Sequence, residues 1–156
     1  MKPITICIIS LILGVIFISG CTSDDDQARQ EKEAQYINTI QAYSLRLSEI
    51  FEEQSQDTEA FEEGTLSYDE YYTNVVARQS EIQVFIEEME ELTPPPGFEE
   101  IHELILKGLN DIDQAFQYTL KALDSDDPSL LERANEKIEE GISSINEADE
   151  KIQALN

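Results

Sequence analysis

Tryptophan is absent from this chain, histidine occurs once at His102, and the cysteines number two, Cys7 and Cys21. Each scarcity closes off chemistry. One imidazole cannot furnish the doubled Glu-x-x-His set of a symmetric di-iron bundle, and it leaves one candidate base for any nucleophilic triad. Glycine-rich phosphate loops, Gly-x-Ser-x-Gly elbows and His-Glu-x-x-His pairs do not occur either. Basic residues are the next shortage: 10 Lys and Arg stand against 34 Asp and Glu, a net charge of −24. Nucleic acid is excluded as a partner, because phosphate binding needs a basic stripe. Carboxylate pairs are unavoidable among so many acids, so pairing alone identifies no acid–base catalyst. The sequence points to no enzyme and no cofactor, while cations and basic proteins stay open as partners.

What is present begins at the N-terminus. Lys2 precedes an apolar run from Ile4 to Ile18, followed by Ser19-Gly20-Cys21 and the polar Thr22-Ser23-Asp24-Asp25-Asp26. A charged start, an apolar middle and small residues before a cut describe a secretory signal peptide. The competing reading is an uncleaved anchor, but a spanning helix needs about 20 apolar residues, and this run is shorter. Ile18-Ser19-Gly20-Cys21 resembles the lipobox of prokaryotic membrane lipoproteins of the archaeal or Gram-positive kind: an aliphatic residue, two small ones, then cysteine. That resemblance implies cleavage before Cys21, lipid attachment on its thiol, and a protein held at the cell membrane, facing outside the cytoplasm. Two acyl chains make a stable anchor where one is marginal. Cleavage would remove Cys7 and Lys2, leaving no disulfide and no free thiol and a charge one unit more negative. An anionic membrane surface repels such a body, so the covalent lipid is the membrane contact.

The rest of the chain reads as all-α, with no strand-like alternation. We expect a signal peptide at 1–20, a lipidated tether or stalk at 21–35, and a domain over 36–156, with helices near 27–63, 67–92, 97–124 and 127–155. Gly64 stops the first helix. Ser67-Tyr68-Asp69-Glu70 is a capping box opening the second, which ends before Thr93-Pro94-Pro95-Pro96-Gly97. Asp127-Pro128 opens the fourth, as cap and first helical residue.

Apolar residues recur at alternating steps of three and four. The first helix reads Tyr36, Ile40, Tyr43, Leu47, Ile50, and the second Tyr68, Tyr72, Val75, Ile82, Ile86, Met89, with Gln79 filling a slot. A step averaging 3.5 is the seam of a coiled-coil-like bundle, and short loops make neighbours antiparallel. We therefore expect an up-down-up-down four-helix bundle. Small residues repeat at one heptad position: Gly108, Ala115 and Ala122 on the third helix, Ala134, Gly141 and Ala148 on the fourth. Folded antiparallel, this packing seam sets Ile105 against Ala148, Gly108 against Ile145, Ile112 against Gly141, and Ala115 against Ile138. Large meets small throughout, which predicts a close helix pair.

The strongest ligand candidates surround the proline turn. Glu87, Glu88, Glu90 and Glu91 close the second helix, where the dipole disfavours acids, while Glu99, Glu100 and Glu103 open the third, where it favours them. Glu99 and His102 form a Glu-x-x-His. Residues that break a local preference cluster at functional sites, so Glu87, Glu91, Glu99 and His102 are the metal candidates. A solvated acidic pole is the competing reading, and the calcium-loop spacing is absent from Asp24-Asp25-Asp26 and Asp124-Ser125-Asp126-Asp127.

Residues 93–156, with Thr93-Pro94-Pro95, Phe98 and Ile101-His102 ahead of two Ala- and Gly-containing helices, resemble uncharacterised small helical lipoproteins of archaea and Gram-positive bacteria. The resemblance implies a fold and a location, with no activity. The expected function is non-enzymatic binding by a lipid-anchored extracytoplasmic protein, to another envelope protein. The alternative is a cation- or small-ligand-binding lipoprotein using the acidic pole around Pro94–Pro96.

Overall fold

The computed structural model describes residues 24–125 and 127–155. The expected signal peptide at 1–20, with Cys7, and Cys21 with the first residues of the expected tether lie outside the described residues. The protein is all-α, with no strand among the described residues: α1 (Asp24–Glu62), α2 (Tyr68–Glu91), α3 (Glu99–Ser125) and α4 (Ser129–Ala154). Within residues 49–156, α3 packs on α2 and α4 and the end of α1 meets α2, a packing consistent with a four-helix bundle. No helix among the described residues is long and apolar enough to cross a membrane.

The chain divides into two compact units, Met1–Ser48 and Glu49–Asn156. The division falls inside α1, whereas the sequence reading puts the step from stalk to bundle at residues 35 and 36. In the first unit, residues 26–32 are exposed and Tyr36, Ile40 and Leu47 are buried. Arg29 Nε donates to Glu33 one turn on, at 2.8 Å.

In the second unit each helix end has a local cause. Gly64, at φ 73°, ends α1; Thr65 N–H donates to Ala60 O at 2.9 Å and Gly64 N–H to Phe61 O at 3.1 Å. That pair of bonds is a Schellman motif, which needs the left-handed glycine. The α2 capping box is complete. Glu70 N–H donates to Ser67 Oγ at 3.3 Å, and Ser67 N–H donates back to the Glu70 carboxylate at 3.1 Å. After α2, Phe98 N–H donates to Pro95 O at 3.0 Å across Pro96 and Gly97, with Gly97 at φ 92°. A type II turn requires positive φ at its third residue, so glycine here swings the chain into α3. Pro128 has helical angles ahead of α4, and Asp127 Oδ1 accepts from Ser129 N–H at 3.0 Å. Asp127 thus caps the helix with Pro128 as its first turn residue.

The α3–α4 pair is antiparallel and close. A Cβ on Gly108 would lie 2.7 Å from Ile145 Cγ1 and 2.8 Å from Gly141 O; one on Gly141 would lie 2.8 Å from Gly108 O and from Ile112 Cγ1. Gly108 therefore faces Ile145 and Gly141 faces Ile112, the pairs that the large-to-small alternation predicts. Ala115, Ala122, Ala134 and Ala148 are buried. The ends of the fourth-helix seam differ from its middle, with Leu131 and Leu155 exposed. α3 is the central helix of this unit, packing on α2 as well as α4, and it buries Leu109 and Phe116 beyond the expected seam.

The α2 face requires a correction. Its buried residues are Tyr71, Val75, Arg78, Ile82, Phe85 and Met89. The rhythm is the expected one, but three slots move back by one residue: Tyr71, Arg78 and Phe85 replace Tyr72, Gln79 and Ile86. Tyr68 is exposed. The cause is Arg78, a charged side chain that a hydropathy pattern rejects from a seam. Here it is buried because α1 supplies its counter-charge.

Candidate functional site

Arg78 is the centre of the largest polar assembly in the second unit. Its Nη2 donates to Asp57 Oδ2 at 2.6 Å and its Nη1 to Gln54 Oε1 at 3.1 Å, while Glu53 Oε2 lies 3.7 Å from Nε. Asn74 Nδ2 donates to the same Asp57 oxygen at 2.7 Å. Gln54 Nε2 donates to the Tyr71 hydroxyl at 2.9 Å, and Thr58 Oγ1 lies 3.0 Å from that hydroxyl. Phe61 stacks on Tyr71, with ring centroids 4.7 Å apart. The α1–α2 contact is therefore polar and directional.

A second assembly lies on α3 and α4. Asp111 is buried and accepts from Lys137 Nζ at 2.8 Å, with Lys107 Nζ at 3.4 Å. Lys107 also donates to Ser144 Oγ at 2.7 Å, and Lys137 to Glu140 at 2.6 Å. Hydrogen bonds to Asp111 and Glu140 hold the Lys137 ammonium well above the ordinary lysine range. The Ser144–Lys107 contact has the partners of a nucleophile and a base. Lys107 also reaches Asp111 at 3.4 Å, so its head group bridges a carboxylate and a hydroxyl across α3 and α4. Between α2 and α3, Asp113 accepts from three glutamine amides: Gln79 and Gln83 at 3.2 Å and Gln117 at 2.6 Å.

These assemblies draw the cations inward or onto their own neighbours. Lys151 pairs with Glu100 at 3.0 Å, and Lys121 and Arg133 lie 5.5 and 5.4 Å from the Tyr118 ring centroid. Arg29, Arg78, Lys107, Lys137 and Lys151 are thus each paired with a carboxylate of the same chain.

The acidic pole assembles differently from a metal centre. Glu87, Glu91 and Glu99 are exposed and His102 is half-buried. Among the described residues no three of His, Cys, Asp and Glu come together so as to hold a metal ion. Glu99 has a local task instead: it accepts from Gly97 N–H at 2.8 Å, bracing the turn into α3. Burial pushes His102 below the usual histidine range, opposed by the charge of Glu103. The sequence reading missed Arg78 and Asp111. For Arg78 the spacing is no guide, because Gln79 keeps an equally regular alternation between Val75 and Ile82; the burial of Tyr71 and Phe85 is what selects Arg78.

The family model that matches, over residues 30–148, is described as Domain of unknown function (DUF7018). The chain belongs to this family. No curated protein and no solved structure matches it. The DUF7018 match covers most of α1, all of α2 and α3, and α4 through Ala148. It takes in both polar assemblies and the glycine crossing, and it begins after the lipobox-like residues 18–21.

Proposed function

We propose that this protein is a lipid-anchored, extracytoplasmic member of the cell envelope that works by binding another envelope protein, without catalysis. The observation that carries this reading is Ile18-Ser19-Gly20-Cys21 at the end of an apolar run, where small residues precede the single cysteine left after cleavage. A net charge of −24, with Arg78, Lys107, Lys137 and Lys151 paired to carboxylates of the same chain, supports a partner of positive charge.

Mass spectrometry of the N-terminal peptide from membrane-extracted native protein tests the anchor. The expected result is a chain beginning at Cys21 and carrying lipid, with Cys21→Ser released from the membrane fraction. An unmodified chain beginning at Met1 would overturn it. Crosslinking in intact cells should then recover one reproducible partner, and a clean monomer would count against binding.

A further inference from the structure

We propose that the hollow at the start of α2, lined by Tyr68, Asp69, Tyr72, Thr73 and Asp124, receives an arginine side chain of a partner protein. Tyr68 and Tyr72, one turn apart, stack with centroids 6.0 Å apart and an interplanar angle of 29°. Tyr68 remains 44% exposed, so its ring is open to a ligand. The hollow beside the rings measures about 310 Å³ and opens to solvent, and its lining includes two carboxylates and no lysine or arginine. This suits one side-chain head group.

The electrostatics of the hollow have two further sources. Asp124 sits in the last turn of α3, which holds no basic residue, so it adds to the negative end of the helix dipole rather than offsetting it. Tyr68 is pushed above the ordinary tyrosine range, by desolvation first and then by the charges of Asp124, Tyr72 and Asp69. The same field that opposes a negative charge on Tyr68 favours a positive one beside it. The chain also uses this chemistry internally: the Tyr118 ring has Lys121 and Arg133 over it.

Arginine fits better than other cations. A planar guanidinium stacks on aromatic faces while its N–H donors reach carboxylates. A quaternary ammonium, such as a lipid headgroup, has no donor for Asp69 or Asp124. The inference rests on the binding reading above, but it needs no lipid and no cell, so the two fail separately.

The test is an NMR titration of the ¹⁵N-labelled full-length protein, in a maltoside detergent, with acetyl-Gly-Arg-Gly-amide. The citrulline isostere and choline serve as comparison probes. Shifts concentrated at Tyr68, Asp69, Tyr72, Thr73 and Asp124 are the expected result, and they should be absent with citrulline. Tyr68→Leu should raise Kd about two- to fivefold, the factor an exposed cation–π contact supplies, while Tyr68→Phe keeps it. Asp124→Asn should weaken binding, and Glu87→Gln, which removes the same charge elsewhere, should not. Shifts spread over the whole acidic surface would overturn the proposal, as would equal binding of citrulline or an unaltered Kd in Tyr68→Leu. Choline moving these amides as strongly as arginine would assign the hollow to a lipid headgroup instead.

Discussion

The α3–α4 contact and the α1–α2 contact of the second unit are built on opposite principles. α3 meets α4 where two glycines bring backbone against backbone, and isoleucines fill the space above and below. α2 meets the end of α1 through an arginine, two carboxylates, amides and a phenol. The first contact tolerates no added volume, and the second no charge left without its partner. Shape specifies one pairing and hydrogen-bond direction the other, which gives each hairpin its own way of rejecting misalignment.

Removing the arginine should have the largest effect. Arg78→Ala removes the counter-charge of Asp57, which keeps only the neutral Asn74 amide as a donor, and the donor to Gln54 Oε1; breaking a buried pair costs about 3–5 kcal/mol. Asp57 retains 21% side-chain exposure, so the lower end, roughly 3 kcal/mol, is expected in urea denaturation. Replacing both partners by apolar residues, Arg78→Met with Asp57→Leu, should restore most of that loss. If the double variant were as unstable as the single, the α1–α2 contact would depend on more than its charges.

Gly141→Leu probes the other side. Its Cβ would lie 2.8 Å from the Gly108 carbonyl, which cannot rotate away, so about 1–3 kcal/mol should be lost to overpacking. Even Gly141→Ala should destabilise, although alanine normally gains up to about 1 kcal/mol over glycine inside a helix. A thermal melt unchanged or raised by Gly141→Ala would mean the helices can separate at this crossing.

Ser67→Ala removes the cap of α2 and should cost about 1 kcal/mol, felt on the α1–α2 side. Hydrogen bonds from Ser67 hold Glu70 below the ordinary carboxylate range. Their stabilisation is present above the ordinary glutamate pKa and is lost as pH falls through the lowered value. Acid unfolding curves of the wild type and Ser67→Ala should therefore converge at low pH. Curves that stay parallel would remove Glu70 from the account.

The smallest effect belongs to His102, on α3. Burial lowers its pKa, so the unfolded chain takes up the proton first and stability falls as pH drops from above the ordinary histidine value through the lowered one. His102→Gln should flatten that slope in melting temperatures between pH 7 and pH 5. An identical slope in both proteins would show that the histidine is solvated.

The glycine crossing was legible because it is a matter of volume, and volume is written in residue type. Gly108, Ile112, Gly141 and Ile145 carry their pairing in their spacing. The helix ends were legible for a similar reason, since Gly64, Ser67–Glu70 and Asp127–Pro128 act on their immediate neighbours. Arg78 was hidden because its burial depends on Asp57, Gln54 and Glu53, residues 21 to 25 positions earlier that are unremarkable by themselves. The metal candidates Glu87, Glu91, Glu99 and His102 form no three-ligand group among the described residues, for the reverse reason. Glu99–x–x–His102 satisfies a local spacing, but a metal centre is a spatial requirement, and Glu99 is engaged with its own turn. The hollow beside Tyr68 is not legible in the sequence, because the seam spacing puts Tyr68 and Tyr72 in the core, whereas the structure leaves Tyr68 exposed.

The reciprocal contact at Gly108 and Gly141 lies well over a dozen residues from the turn on α3 and a dozen from it on α4. Alignment of the two helices is consequently decided far from the segment that joins them. Lengthening the turn should do little, since doubling a loop costs only about 0.6 kcal/mol, whereas one residue inserted before Gly141 would put a side chain where a hydrogen belongs. The connection is a leash and the crossing is a keyhole: the chain can be re-spliced at the turn, but the two helices still engage in a single setting.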